Sequence, residues 1–307
     1  MSHAIEHYHG LITPMVSPFT ARGQIDQEVA ARLMTFLLEA GANPFVLGTT
    51  GEVSSIPVEE REVLVKLLLQ QSPAHLPNMA GVVGLPYADT VRVANRYLEL
   101  GVDAVVVTLP NFFLLTEQQM LLYFEQLSRE IDGNIILYNI PKTIHMSIPL
   151  KVLDELSYRE NIIGIKDSEP NAERLVAALK LWKDRKDFSH FVGTNSLMCQ
   201  GLLLGSKGIV PSTANLFPQQ YREMIALCRA KEVKKAEELH ALTGQLSAAY
   251  QEDSLLGESL AALKVILTQQ GICTPYMLPP LSRLTGRAEK ALKVKWEKMV
   301  LKQQSVL

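Results

Sequence analysis

The stretch NIIGIKDSE, residues 161–169, sets two isoleucines, a glycine and a third isoleucine ahead of a single lysine, Lys166. A short continuous apolar run reads as a strand buried on both faces, the environment of a parallel sheet covered by helices. A lysine is almost never fully buried unless it is paired or used. One reading is a strand that surfaces at its C-terminal end, with Lys166 in a salt bridge to Asp167 or Glu169. The other is a lysine held at the end of a buried strand for its chemistry.

Outward from this strand, the chain alternates between short β-rich runs and amphipathic ones. Candidate strands cover residues 11–19, 44–50, 79–84, 104–110, 134–140, 161–166, 191–195 and 208–213. Apolar residues at helical spacing fill the intervals 25–40, with Gly41 as a stop, and 58–71, 89–100, 116–131, 150–157 and 172–182. Short helices follow the last two strands. The segment SIPVEER (55–61) predicts a helix start at Ser55, with Glu59 and Glu60 in its first turn. Eight strand–helix units of about 25 to 30 residues predict an α/β fold, a parallel sheet closed into a (β/α)8 TIM barrel, ahead of an open doubly wound sheet. From Lys231 the pattern changes to long helical runs with no clear strand. A proline-rich linker, TPYMLPPLS (274–282), precedes a final helix from about Thr285. The predicted organisation is a catalytic barrel over residues 1–230 and a helical C-terminal appendage over 231–307, packed on the barrel and serving mainly assembly.

Composition narrows the function classes. The 307 residues are 47% apolar and 20% charged, with a net charge of −2, as in a soluble globular protein with a large core. A pI near 6.4 gives no case for nucleic acid or an anionic membrane as partner. No apolar run reaches the roughly 18 residues of a membrane span. The opening MSHAIEHYHG lacks the basic-then-apolar order of a secretory signal. Three well-separated cysteines, Cys199, Cys228 and Cys273, point to a reduced, cytoplasmic protein without structural disulfides. None has metal-ligand spacing, and His3, His7 and His9 read as a polar N-terminal arm rather than a metal site. No zinc, haem or iron–sulfur pattern, dinucleotide fingerprint or P-loop is present in the sequence.

In a TIM barrel the chemistry sits at the C-terminal ends of the strands, and Lys166 falls at one. Alternation puts Ile162, Gly164 and Lys166 on one face, with Gly164 leaving room for the lysine stem. Burial disfavours the charged form of an amine. A neutral amine attacks a ketone to form a Schiff base. On the preceding strand LYNIP (137–141) places Tyr138 at the corresponding height. A strand tyrosine alone reads more readily as core packing with a bonded hydroxyl. Beside an amine, a phenol can deliver and remove the protons of a carbinolamine. The second strand ends in GTTGE (48–52), where Gly48 and Gly51 flank Thr49 and Thr50 in a tight turn. Its N–H groups suit a carboxylate or phosphate, and its hydroxyls a proton relay to the tyrosine. The three strand ends together fit a single chemistry. They would bind a 2-oxo acid, form its imine, and make or break a carbon–carbon bond to an aldehyde through the enamine.

GTTGE, YNIP and GIKDS, in this order and spacing, resemble the dihydrodipicolinate synthase/N-acetylneuraminate lyase family of class I, Schiff-base aldolases. The opening GLITPMVSPFTARGQID (10–26) is similar to the family's start, and GIVPSTAN (208–215), which contains Val210, to its last barrel strand. The resemblance covers nearly the whole chain. It implies a TIM barrel in which Lys166 forms the imine and Tyr138 transfers protons. It also implies that Gly48, Thr49 and Thr50 hold the pyruvate carboxylate, that Thr49 and Thr50 pass protons to the tyrosine, and that Val210 lies in the substrate site. Neither metal nor organic cofactor is implied, and the implied assembly is a homotetramer.

The departures concern the substrate. Dihydrodipicolinate synthases carry a tyrosine pair after the fourth strand, the second member completing a relay across a subunit interface. Here Asn111 and Phe112 stand in that place, and phenylalanine has no hydroxyl. These synthases also carry an arginine shortly after YNxP. Here Thr143 occupies the place, and the neighbouring Lys142 lacks the bidentate fork. Sialic acid lyases have GSTGE and an acidic pair after the seventh strand, where this chain has GTTGE and Thr194, Asn195 and Ser196. What remains resembles the branch acting on 2-keto-3-deoxy sugar acids, with Thr143, Asn195 and Ser196 available to substrate hydroxyls. The competing readings are dihydrodipicolinate synthase itself, a dehydratase using the same imine, a catalytically silent barrel that binds a 2-oxo acid, and a phosphate-binding barrel enzyme.

Overall fold

The structure is a computed structural model that describes residues 8–304. Eight parallel strands close into a barrel in sequence order: β1 (Gly10–Pro14), β2 (Asn43–Val46), β3 (Met79–Val82), β4 (Ala104–Thr108), β5 (Asn134–Asn139), β6 (Ile162–Asp167), β7 (Ser189–Val192) and β8 (Gly208–Ile209). The barrel expectation therefore holds. His3 and His7 lie outside the described residues, and His9 has its ring 3.4 Å from the Arg229 guanidinium.

Helices α1 (Gln27–Glu39), α2 (Val58–Gln71), α3 (Tyr87–Leu100) and α4 (Glu117–Glu130) follow the first four strands. After β5 come α5 (Pro141–Ile144) and α6 (Leu150–Leu156), and after β6, β7 and β8 come α7 (Ala172–Leu181), α8 (Met198–Leu203) and α9 (Pro218–Arg229). Each outer helix is amphipathic at the residue level. On α1 the buried set is Val29, Ala30, Leu33, Met34 and Leu37, one stripe at three- and four-residue spacing, and Asp26 caps its N-terminus by accepting from Val29 N. The helix expected to start at Ser55 starts at Val58 instead. Residues 53–55 form a separate 3₁₀ turn, and Pro57 lies between the two. A proline has no N–H to offer a helix interior but suits its first turn.

The strands end earlier than their apolar runs suggest, because the C-terminal part of each run bends into the loop that carries the site. β2 stops at Val46, and the GTTGE segment is turn; β8 stops at Ile209, and residues 212–215 form a 3₁₀ turn. Asn215 in that turn closes the barrel: its side chain donates to Pro14 O at 2.9 Å and accepts from Val16 N at 3.1 Å. On β6 the ladder with β5 slips by one residue, so Ile162 pairs with Ile135 but Gly164 with Ile136. Above the slip, Tyr138 pairs with Lys166 and Asn139 with Asp167.

Three further helices complete the chain: α10 (Val233–Gln251), α11 (Leu256–Gln269) and α12 (Gly286–Gln304). No strand follows β8 among the described residues, and no helix there is long and apolar enough to cross a membrane. The three cysteines are free and buried.

Candidate active site

Lys166 lies on the barrel side of β6 with only 5% of its surface exposed. Its side-chain nitrogen is 4.0 Å from the Tyr138 ring centroid and 5.2 Å from that of Phe45 on β2. Two aromatic faces thus replace part of the hydration it has lost. The salt-bridge reading fails at this point. Asp167 and Glu169 turn outward and both bind Arg174 on α7, at 2.7 Å and 3.4 Å. Among the described residues no carboxylate lies within ion-pair distance of Lys166. Gly164 has a different reason from the one expected. A Cβ there would sit 2.5 Å from the backbone oxygen of Ser189, so glycine is needed for the approach of β7.

Tyr138 is buried, and Thr49 Oγ1 donates to its hydroxyl oxygen at 3.5 Å. The turn that presents Thr49 is built under strain. Leu47 and Glu52, at its two ends, both adopt left-handed φ angles, 59° and 56°, a conformation costly for non-glycine residues. Gly51 N donates to Gly48 O at 3.0 Å, Glu52 N to Thr49 O at 3.1 Å, and Ser17 Oγ to Gly51 O at 2.6 Å. The N–H groups of Thr49 and Thr50 find no acceptor among the described residues. They are the pair of backbone donors an anionic group needs. Gly48 is buried against the Phe45 ring, 2.8 Å from where a Cβ would stand, and serves the turn rather than the cavity wall.

These side chains share one cavity of about 210 Å³ at the C-terminal mouth of the barrel. Thr49, Thr50, Tyr138, Lys166, Asn195 and Val210 all line it, and no aspartate or glutamate does. Of the other expected residues, Ser196 is exposed and lines no part of it. Thr143 lines a neighbouring cavity of about 310 Å³, together with Asn111, Thr108 and Ser54. The two cavities share Thr49, Leu256 and Leu260. Phe112 lines neither and is 87% exposed.

The sequence reading missed the contribution of the C-terminal helices. Tyr250 and Gln251 from the end of α10, and Leu256, Ser259, Leu260 and Leu263 from α11, form part of the wall around Lys166. Gln251 Nε2 donates to Ser212 Oγ at 3.1 Å and to Tyr250 Oη at 2.9 Å, and Tyr250 Oη is 2.8 Å from Thr213 Oγ1. Burial pushes the Tyr250 phenol above its ordinary range and keeps it a neutral hydrogen-bonding group. The appendage, expected to serve mainly assembly, therefore forms part of the cavity wall. It is also tied to the GTTGE turn: Lys264 on α11, wholly buried, forms an ion pair with buried Glu52. Lys264 Nζ also donates to Tyr276 O at 2.8 Å and lies 4.1 Å from the Phe19 ring centroid. Burial pushes the Glu52 carboxyl up and the Lys264 amine down, each opposed by the charge of the other.

This arrangement, an amine facing a phenol, a threonine bonded to the phenol, and two open N–H groups at one cavity, can form and protonate an imine of a small 2-oxo acid. Comparison with known proteins agrees in kind. The sequence model of the dihydrodipicolinate synthetase family matches residues 7–299. YagE of Escherichia coli (strain K12), whose name assigns it provisionally as a 2-dehydro-3-deoxy-D-gluconate aldolase, is 28% identical over 96% of this chain and 98% of its own. Its crystal structure, solved in complex with pyruvate, superposes with a TM-score of 0.88, covering 96% of this chain and 99% of that one. The 4-hydroxy-tetrahydrodipicolinate synthase of Aquifex aeolicus (strain VF5) is 25% identical over 93% of this chain and 96% of its own. The dihydrodipicolinate synthase structure from Bacteroides thetaiotaomicron is 27% identical, with a TM-score of 0.88 over 94% of this chain and 98% of that one. Match, fold and coverage agree along nearly the whole length, and the chain belongs to the dihydrodipicolinate synthetase family, a family of lyases and aldolases.

Proposed function

We propose that this enzyme joins or cleaves pyruvate and an aldehyde through a Schiff base on Lys166, acting on a 2-keto-3-deoxy sugar acid. The observation that carries the chemistry is the Lys166–Tyr138–Thr49 constellation, with the amine 4.0 Å from the phenol ring and free of a carboxylate partner among the described residues. The Lys166 amine attacks the ketone carbon, and Tyr138 supplies the proton with which the carbinolamine oxygen leaves as water. Cleavage of the bond beyond the adjacent carbon then leaves an enamine and releases the aldehyde. The hydroxyl proton of the departing fragment passes to Tyr138, and Thr49 steadies the phenol. Thr49 and Thr50 N–H groups bind the carboxylate.

The sugar-acid reading rests on the wall opposite the turn. Asn195, Ser212 and Gln251 offer amide and hydroxyl groups, which suit a neutral polyhydroxylated aldehyde. Thr143, facing the adjoining cavity, extends the hydroxyl-bearing surface. A second reading, dihydrodipicolinate synthase, draws on the named relatives and on Lys142, an exposed cation at the cavity rim that would meet the carboxylate of aspartate semialdehyde. A dehydratase would use the same imine. Three features support a homotetramer in a reducing cytoplasm: the family, the free buried cysteines, and the exposed apolar run Phe112, Phe113 and Leu114, 87%, 69% and 78% accessible. The test is acceptor choice. With pyruvate, the enzyme is expected to condense glyceraldehyde and to leave aspartate semialdehyde unreacted; the reverse preference would transfer the enzyme to the synthase reading.

A further inference from the structure

Behind Lys166, on the outer side of the β5–β6 pair, a second polar cluster touches no part of the cavity. Alternation turns Tyr138 and Lys166 inward and their successors, Asn139 and Asp167, outward. Asn139 Nδ2 donates to Asp167 Oδ1 at 2.9 Å and to Glu169 Oε2 at 3.1 Å, and Asn139 Oδ1 accepts from Ile148 N at 3.1 Å. Glu169 N donates to Asp167 Oδ1 at 3.0 Å, and Ser147 Oγ to Glu169 Oε2 at 2.5 Å. Arg174 Nε donates to Asp167 Oδ2 at 2.7 Å, and both side chains are more than nine-tenths buried. The backbone is fixed at the same level: Ser168 N donates to Asn139 O at 2.9 Å and Gly193 N to Asp167 O at 2.7 Å.

We propose that Arg174 is a positioning residue for the Lys166 chemistry: by holding the carboxylates of Asp167 and Glu169 outside the barrel it offsets part of their charge and keeps the reactive amine without a carboxylate partner. The inference rests on the imine reading of the site. Two carboxylates stand within three residues of Lys166 in sequence. Only one cation among the described residues, Arg174, is ion-paired to them. A carboxylate pair left without that cation would favour the ammonium form of a buried lysine, and an ammonium group is no nucleophile.

The other groups in range are few. Facing Lys166 are the Tyr138 phenol from β5 and, across the cavity, the Tyr250 phenol from α10, with exposed Lys142 at the rim. Facing the outer cluster is His190 from β7. Its imidazole is fully enclosed, and desolvation holds it neutral, lowered to about 4. It therefore carries no charge to either side at neutral pH.

The test is the pH profile of adduct formation on the full-length protein, using pyruvate and cyanoborohydride and counting the adduct by intact mass. Arg174→Gln is expected to move half-maximal trapping upward by about half a pH unit to one unit, the size expected of one further uncompensated charge acting across a partly screened interior. Arg174→Lys, which keeps the charge, is expected to keep the wild-type profile. A role in folding alone would lower the melting temperature and the yield without moving the profile, and an unmoved profile in folded Arg174→Gln overturns the proposal. If that variant does not fold, Glu169→Gln carries the test with the opposite sign. Losing one carboxylate while the guanidinium stays moves half-maximal trapping to lower pH, and an unmoved or raised profile overturns the proposal. Absence of any Lys166 adduct in the wild type would instead sink the imine reading beneath it, so the two failures are distinguishable.

Discussion

Tyr138 stands between two partners, the amine beneath its ring and the hydroxyl of Thr49 at its edge. The role proposed for it follows from that place: in the Schiff-base mechanism the phenol would be the proton carrier beside the imine. Tyr138→Phe keeps the ring that cushions Lys166 and removes only the hydroxyl. Pyruvate adducts are expected to remain trappable while kcat falls about a hundredfold; an unchanged kcat would take Tyr138 out of the proton path. At this scale the sequence was informative wherever a reactive side chain ended a strand. Lys166 and Tyr138 were legible because period-two alternation and strand-end position specify their direction, and Thr49 and Thr50 because two glycines bracket them in a turn that follows a strand. Ser196 was not, because residues 195–197 form a 3₁₀ turn that leaves it exposed while Asn195 faces the cavity. Nor was the destination of Asp167 and Glu169. Their partner, Arg174, sits in the first turn of the following helix, and no local pattern shows which way that turn faces.

The coupling of elements is clearest where α11 crosses the barrel mouth. Its Lys264 reaches the buried carboxylate of Glu52, the last residue of the GTTGE turn, so the helix and the turn, both of which line the cavity, share one ion pair. Neither residue stands out in the sequence, since a lysine inside an apolar helical run reads as one solvated position on its polar face. Lys264→Met leaves Glu52 buried without its counter-charge and is expected to cost about 3–5 kcal/mol of stability. The double variant Glu52→Gln/Lys264→Met, which removes both charges, is expected to recover most of that loss. Urea denaturation midpoints decide it: a double variant no more stable than the single one would show that the ion pair is not what links the two elements. Strand limits were the least legible feature at this scale. The apolar runs continue past the ladders into the loops, as at β2 and β8, because the site residues are themselves buried and apolar sequence does not distinguish strand from buried turn.

For the whole molecule, the order of elements was legible because eight strand–helix units at even spacing leave few ways to bury a sheet on both faces. The use of the C-terminal helices was not legible, because helical periodicity gives an apolar face but not the surface it covers. α10 and α11 cover the mouth of the barrel and supply Tyr250, Gln251 and Leu260 to the cavity. The cavity is therefore lined by parts of the chain more than eighty residues apart, and the fold brings them together around one amine. The central claim is that this amine reacts. The measurement is borohydride reduction of the full-length protein in the presence of pyruvate, followed by peptide mass spectrometry. The account predicts a reduced pyruvyl adduct on Lys166, lost in Lys166→Ala while the fold and the Thr49–Tyr138 side of the cavity remain. A folded wild-type protein that gives no adduct, or one whose adduct maps to another lysine, would contradict it.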